Sequence, residues 1–345
     1  MHIAFLNAMP RAETAFDGWR HFRARRIAGW VPLLVLWLLA CAPPSPVRPP
    51  ADLMVVTVGP EDDLEGLARR YLGAASRKWV IQDFNQIETV SEGQLVLIPR
   101  RNYRPGGLAP DGYQVVPVLA YPDLAAVKSE QVSLIVNRFR RQMQFLKAEG
   151  YHVVDVHQLI AFMSFEATLP PRAVVLTFDD QSRLFYDLIF PILKAHQFPG
   201  TLFVAPEAVG KEPMADWPQL REMMESGLNI QCRFSKDETA FYKPPNLPDR
   251  SDLEQVVSAL AGDRTRIETA LGQPCLYLAY PEDKAPSLMA LLTEKAGYQA
   301  GFNRAGGSNA FYRNIFAIQR EAVVWSEDPD SYRKHFDVFK KEALQ

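Results

Sequence analysis

The chain has 345 residues, 48% of them hydrophobic, enough for two folded units and a leader with a sizeable core. Its formal net charge is −2, and its Lys and Arg residues are scattered apart from one N-terminal cluster, which removes the electrostatic case for a nucleic-acid partner. Three cysteines, Cys41, Cys232 and Cys275, are too few and too far apart to read as a disulfide framework.

The basic cluster is Arg20, Arg23, Arg25 and Arg26, followed by an apolar run from Ile27 to Ala40. That run is short for a membrane span and has the length of a signal-peptide core. Leu38-Leu39-Ala40-Cys41 resembles a bacterial lipobox. The resemblance implies a signal peptide over 1–41, cleavage before Cys41 and a lipid on that cysteine, which makes the membrane a partner. Ala42 carries no inner-membrane retention signal, so the expected place is the bacterial cell envelope, lipid-anchored on the outer membrane and facing the periplasm. Residues 42–51, with prolines at 43, 44, 46, 49 and 50, form an extended tether. With Cys41 lipidated, Cys232 and Cys275 remain as two buried thiols, or as a pair in an oxidising compartment.

Residues 52–100 read as β-α-α-β. Val55 to Val58 forms a strand, and Asp62 or Asp63 caps a helix with Leu64, Leu67, Ala68 and Tyr71 on its apolar face. Gly73 stops it; a second helix carries Trp79, Val80, Ile81 and Phe84; Leu95 to Ile98 is the closing strand. Val58, Asp62, Leu64, Leu67, Ala68, Tyr71, Gly73, Asn85, Gly93, Gln94, Ile98 and Pro99 stand where a LysM domain has such residues, and the block resembles that family over nearly its whole length. The resemblance implies binding of peptidoglycan or another N-acetylglucosamine-containing glycan by two loops, through Gly59, Asp62, Asp63, Gln86 and Ile87.

A linker rich in Gly and Pro covers 101–112, and 113–345 is the large domain. Strands are expected at Val115–Ala120, Val153–Val156, Val174–Phe178, Thr201–Ala205, Asn229–Cys232, Leu276–Tyr280, Ala300–Phe302 and Ala322–Trp325. Helices are expected at Glu130–Glu149, His157–Met163, Arg183–His196, Trp217–Ser226, Asp252–Leu271 and Leu288–Ala296. Short apolar runs alternating with amphipathic segments call for an α/β fold, a parallel barrel or sheet whose site is built by the loops after the strands. The run Val174 to Phe178 ends in two adjacent carboxylates, Asp179 and Asp180, which suits a base beside a metal ligand.

Pro117 to Tyr121, Leu176 to Asp180, Gly227 to Asp237, Ala279-Tyr280-Pro281 and Phe316 to Val323, in that order, resemble the polysaccharide deacetylase family with NodB homology. The resemblance implies an irregular (β/α) barrel of about seven strands and removal of N-acetyl groups with a divalent metal, often zinc. It places the base on Asp179 and a metal ligand on Asp180. The two imidazoles that usually complete the metal site align with Arg233 and Asp237. A guanidinium has no lone pair for a cation, so no metal is expected; were one bound, Asp180 and Asp237 would hold it. Asp179 is then a vestigial base, Arg320 a candidate orienter of it, and Arg233 and Gln181 block the site. Arg233 is expected to pair with Asp180, and with Asp179 or Asp237. Tyr280, Pro281 and Glu282 mark the oxyanion region, with Glu282 adding adverse charge. His335 is read as solvated surface in a terminal helix. The resulting expectation is an envelope-anchored glycan-binding protein with a degenerate deacetylase-like domain. The alternatives are an active N-deacetylase with an unusual metal site and a scaffold for another envelope enzyme, a protein partner.

Overall fold

The computed structural model describes residues 53–100, 104–109, 111–124, 129–234, 250–280 and 287–342. Cys41, the tether, Asp237, Pro281 and Glu282 lie outside the described residues. No helix of the described residues is long and apolar enough to cross a membrane.

The small module is β1 (Leu53–Thr57), α1 (Leu64–Leu72), α2 (Lys78–Asn85) and β2 (Leu95–Pro99). β1 and β2 pair antiparallel, with Val56 opposite Val96. Its core holds Val56, Val58, Leu67, Ala68, Val80, Ile81, Val96 and Ile98. Asp63 caps α1 by accepting from the Gly66 N–H, and Gly73 closes that helix in the left-handed conformation (φ 85°). The Asn85 carboxamide bonds the Leu97 N–H and C=O, at 2.8 and 2.7 Å, and so ties α2 to β2.

The large domain is built on β5 (Val116–Tyr121), β7 (Ala173–Phe178), β8 (Gly200–Val204), β9 (Leu228–Arg233), β10 (Tyr277–Ala279) and β11 (Ala300–Asn303). These pair in parallel in the order β5-β7-β8-β9-β10-β11, and β6 (His152–Val154) lies beside β7. β5, β7 and β8 are buried along their whole length, as parallel strands covered on both faces must be. The sheet is nearly closed by the segment 318–322. β13 (Ile318–Gln319) pairs with β11, β14 (Glu321–Ala322) pairs with β5, and Arg320 sits at the step between them. The last strand therefore bridges the two ends of the sheet, and the α/β barrel of about seven strands is as expected.

Alternation along the strands separates two cores. Val116, Val118, Ala173, Val175, Phe203, Tyr277, Ala279, Ala300, Phe302 and Ile318 form one cluster with α4 (Val156–Met163), which supplies Leu159 and Phe162. Leu119, Tyr121, Val174, Leu176, Phe178, Leu202 and Leu278 face the other way, onto α3 (Val132–Ala148), α5 (Phe190–His196) and α7 (Arg250–Leu271). Asp155 caps α4 in a reciprocal capping box with Gln158, so the chain turns helical at Val156, where the sequence suggested a strand. The expected strand Ala322–Trp325 is also cut short: Val323 N–H bonds the Ala120 carbonyl, and the Trp325 indole then leaves the sheet to donate to the Pro122 carbonyl at 2.8 Å. A second, three-stranded sheet joins β3 (Leu108–Ala109), β4 (Gly112–Gln114) and β15 (Phe339–Lys341). Residues 49–345 form one compact unit, and no disulfide is present among the described residues: Cys232 and Cys275 are free, buried thiols.

Candidate functional site

The carboxyl ends of β7, β8, β9, β10 and β11 surround a cavity of about 500 Å³. Asp179 follows the inward-facing series Ala173, Val175 and Thr177, so the pleat carries its side chain to the top of the barrel interior. Asp123, Glu207 and Arg304 line the same cavity from the loops after β5, β8 and β11, with Arg233 at the end of β9 and Tyr280 just past β10. Asp123, Glu207 and Arg304 escaped the sequence reading, although each lies within three residues of a strand's carboxyl end, where an α/β fold builds its site.

The decisive pair is Arg320 with Asp179. Arg320 is 0% exposed, and its Nη1 donates to Asp179 Oδ1 at 2.6 Å. Its guanidinium lies 5.1 Å from the centre of the Phe203 ring. Its Nε and Nη2 are buried without a hydrogen-bond partner among the described residues. Arg320, expected as a candidate orienter of Asp179, is placed in direct contact with it because residue 320 sits at the closing step of the barrel.

Arg233 does something other than expected. Its Nη1 donates to the main-chain carbonyl of Asp179 at 2.6 Å, and no ion pair joins Arg233 to Asp179 or Asp180 among the described residues. Arg233 ends β9 half-buried and finds a peptide carbonyl, while both Asp180 oxygens are already engaged by main-chain N–H groups. Asp180 is 0% exposed and is held by the N–H groups of Leu124, at 3.1 Å, and Ser182, at 2.9 Å. Burial pushes its carboxyl up to about 7, the Asp123 charge adds to that, and the bonds from Ser182 and Leu124 oppose it.

Gln181 is also placed differently. Its side-chain Oε1 accepts from the Ala205 N–H at 2.6 Å and its Nε2 donates to the Ala205 carbonyl at 3.2 Å. The residue is buried and does not line the cavity, so it is a strut between β7 and β8 and not an obstruction. Tyr280 is buried; its N–H is spent on the Phe302 carbonyl and its hydroxyl donates to the Phe316 carbonyl at 3.0 Å. Burial raises its phenol to about 12. His335 is neither helical nor solvated. It follows α9 (Pro329–Arg333), and its ring meets Glu327 at 2.8 Å and Glu321 at 3.4 Å.

A zinc site does not fit the described side chains. Arg233, which the resemblance aligns with an imidazole, is engaged with a peptide carbonyl, and both oxygens of Asp180 already accept main-chain N–H bonds. No group of three His, Cys, Asp or Glu able to hold a metal occurs among the described residues.

In the small module, Asp62 Oδ2 accepts from the Gly59 N–H at 2.9 Å and its Oδ1 pairs with Arg70 at 2.8 Å. The Gly59 bond, ahead of the pairing with Arg70, lowers its carboxyl. Asp62 and Asp63 therefore fix the loop and cap the helix. Gln86 and Ile87 line a cavity of about 430 Å³ that Gly59, Asp62 and Asp63 do not reach.

Residues 166–301 match the family model described as polysaccharide deacetylase. Among solved structures, the Streptococcus pyogenes deacetylase PplD, in complex with acetate, aligns with a TM-score of 0.55 and 19% identity over 65% of this chain and 98% of that one. The barrel has the NodB-like deacetylase fold. The chain is similar to poly-beta-1,6-N-acetyl-D-glucosamine N-deacetylases: 25% identity to that of Staphylococcus epidermidis over 58% of this chain, and 35% to that of Escherichia coli (strain K12) over 28%. The alignments span 66% and 17% of those two proteins.

Proposed function

We propose that the NodB-like domain binds an N-acetylglucosamine polymer at the carboxyl-end cavity without hydrolysing it. The observation that carries this reading is the Arg233 guanidinium, seated on the Asp179 carbonyl at 2.6 Å where an imidazole would serve a metal. Asp179 is engaged by Arg320 on its other side, so the aspartate is committed to an internal pair. The relatives' names, which specify an N-acetylglucosamine polymer, supply the polymer class. The small module is proposed as a LysM glycan-binding domain, and Cys41 as a lipid anchor holding both units in the cell envelope, on the outer membrane facing the periplasm.

One observation favours a second reading. Asp180 is buried with no cation beside it among the described residues, and a hard divalent ion shared with Asp237 would relieve it. Acetate release from a β-1,6-linked N-acetylglucosamine oligomer, measured with zinc, cobalt, manganese and magnesium in turn, separates the two. The binding reading expects oligomer affinity and no acetate with any metal. Metal-dependent acetate release would establish the second.

A further inference from the structure

The small module meets the large domain at the opposite end of the barrel from Asp179. Trp79, near the start of α2, lines three separate cavities there, of about 690, 430 and 210 Å³. One side of its indole packs on the module core. Its Nε1–H donates to no described residue, although a half-buried indole N–H ordinarily finds an acceptor. The largest cavity falls within the size range of small-ligand clefts. Its walls come from both units: Arg77, Trp79 and Gln82 from the module, and His152, Gln158 and Glu166 from the NodB-like domain.

We infer that this seam is a saccharide-binding cleft, distinct from the carboxyl-end cavity, in which the Trp79 face carries a pyranose ring and both units contact the same chain. Of the cleft's cations, Arg77 donates to the Leu72 carbonyl and Lys78 pairs with Glu65, and the remaining chemistry is that of a neutral sugar. One flat aromatic surface covers the C–H face of a ring. The free indole N–H, two carboxamides and an imidazole meet hydroxyl and acetamido groups. No continuous apolar strip is present of the kind a helical peptide needs. The seam lies beside Pro170 and Arg172, just before β7 begins, and Asp179 follows the other end of that six-residue strand. At a rise of ~3.3 Å per residue the two places are roughly 20 Å apart, so one sugar cannot occupy both. The inference does not require the carboxyl-end cavity to bind anything.

The test uses the full chain labelled with 5-fluorotryptophan and titrated with the β-1,4-linked tetramer of N-acetylglucosamine. Trp79 reports on the seam. Trp325, bonded to the Pro122 carbonyl at the edge of the other cavity, reports on that site. The Trp79 fluorine line is expected to shift saturably, and Ala167→Trp, which fills the cleft from the NodB-like wall, is expected to weaken that shift at least tenfold. Unchanged Trp217 and Trp325 lines show that this variant is folded; Thr168→Arg serves if they move. A shift of Trp325 with Trp79 still would overturn the seam and leave the carboxyl-end reading standing. A silent Trp79 with every line still overturns it as well. A Trp79 shift that survives both fillings would also overturn it, by assigning the sugar to the module alone.

Discussion

Replacing the buried pair Arg320–Asp179 singly and together tests how the top of the barrel is held. The contact is a single 2.6 Å bond between a 0% exposed guanidinium and a 6% exposed aspartate. Arg320→Met keeps the stem beside Phe203 but strands a buried carboxylate, and removing one partner of such a pair costs about 3–5 kcal/mol. Asp179→Asn leaves a walled-in cation whose Nε and Nη2 already lack partners, so its cost is at least as large. The double variant removes both charges. Because those two N–H groups leave the desolvation of Arg320 poorly offset, the double variant is expected to lose about 1–2 kcal/mol, well under either single one. Urea unfolding of the four proteins at pH 7 gives the coupling directly, and about 3 kcal/mol or more of non-additivity is expected. Losses that add to within ~0.5 kcal/mol would refute the pair as the principal support of Asp179.

Asp180, raised to about 7 from an unfolded value near 3.9, binds its proton more tightly when folded. Its contribution is therefore fully present below about pH 4 and lost as the pH rises through 7, up to roughly 4 kcal/mol for a three-unit difference. Asp180→Asn should gain on the wild type between pH 5 and 8 in chemical unfolding; a gap independent of pH means the carboxyl is not so perturbed. Gln181→Ala leaves the buried N–H and C=O of Ala205 unpaired, and a loss of about 2–4 kcal/mol is expected by thermal unfolding. A neutral result would return Gln181 to a role in the cavity. Arg233→His frees the Asp179 carbonyl and supplies an imidazole at the rim, so zinc retained after gel filtration should rise above that of the wild type. The neighbouring Cys275 and then burial raise the Cys232 thiol well above its usual range, so alkylation of the folded chain should be slow until denaturant is added.

The barrel was legible because its strands are buried on both faces and so read as short apolar runs separated by amphipathic helices. Asp179 was legible for the same reason, since the run ends at it. The partners of these residues were not. Arg320 and Asp179 are far apart in sequence, and only closure of the sheet through β13 and β14 brings them together. Whether Arg233 would choose a carboxylate or a peptide carbonyl depends on strand register and on main-chain N–H groups already holding Asp180, which no local pattern records. Gln181 looks like a bulky intruder beside two aspartates until β8 is placed next to it and offers both halves of the Ala205 peptide linkage. His335 reads as surface because its glutamate neighbours, Glu321 on β14 and Glu327 in the connection before α9, lie 14 and 8 residues back in the chain.

The Tyr280 phenol reaches the Phe316 carbonyl by crossing the bare α-carbon of Gly301, where even a β-carbon would come within 1.9 Å of the hydroxyl oxygen. Tyr280 packs in the outer core and also borders the carboxyl-end cavity, so the seat of that residue is set by an atom that residue 301 does not have. A single methyl group there would evict the phenol from its resting place. One border of the hollow is thus held from outside its own lining, at a position that carries no charge.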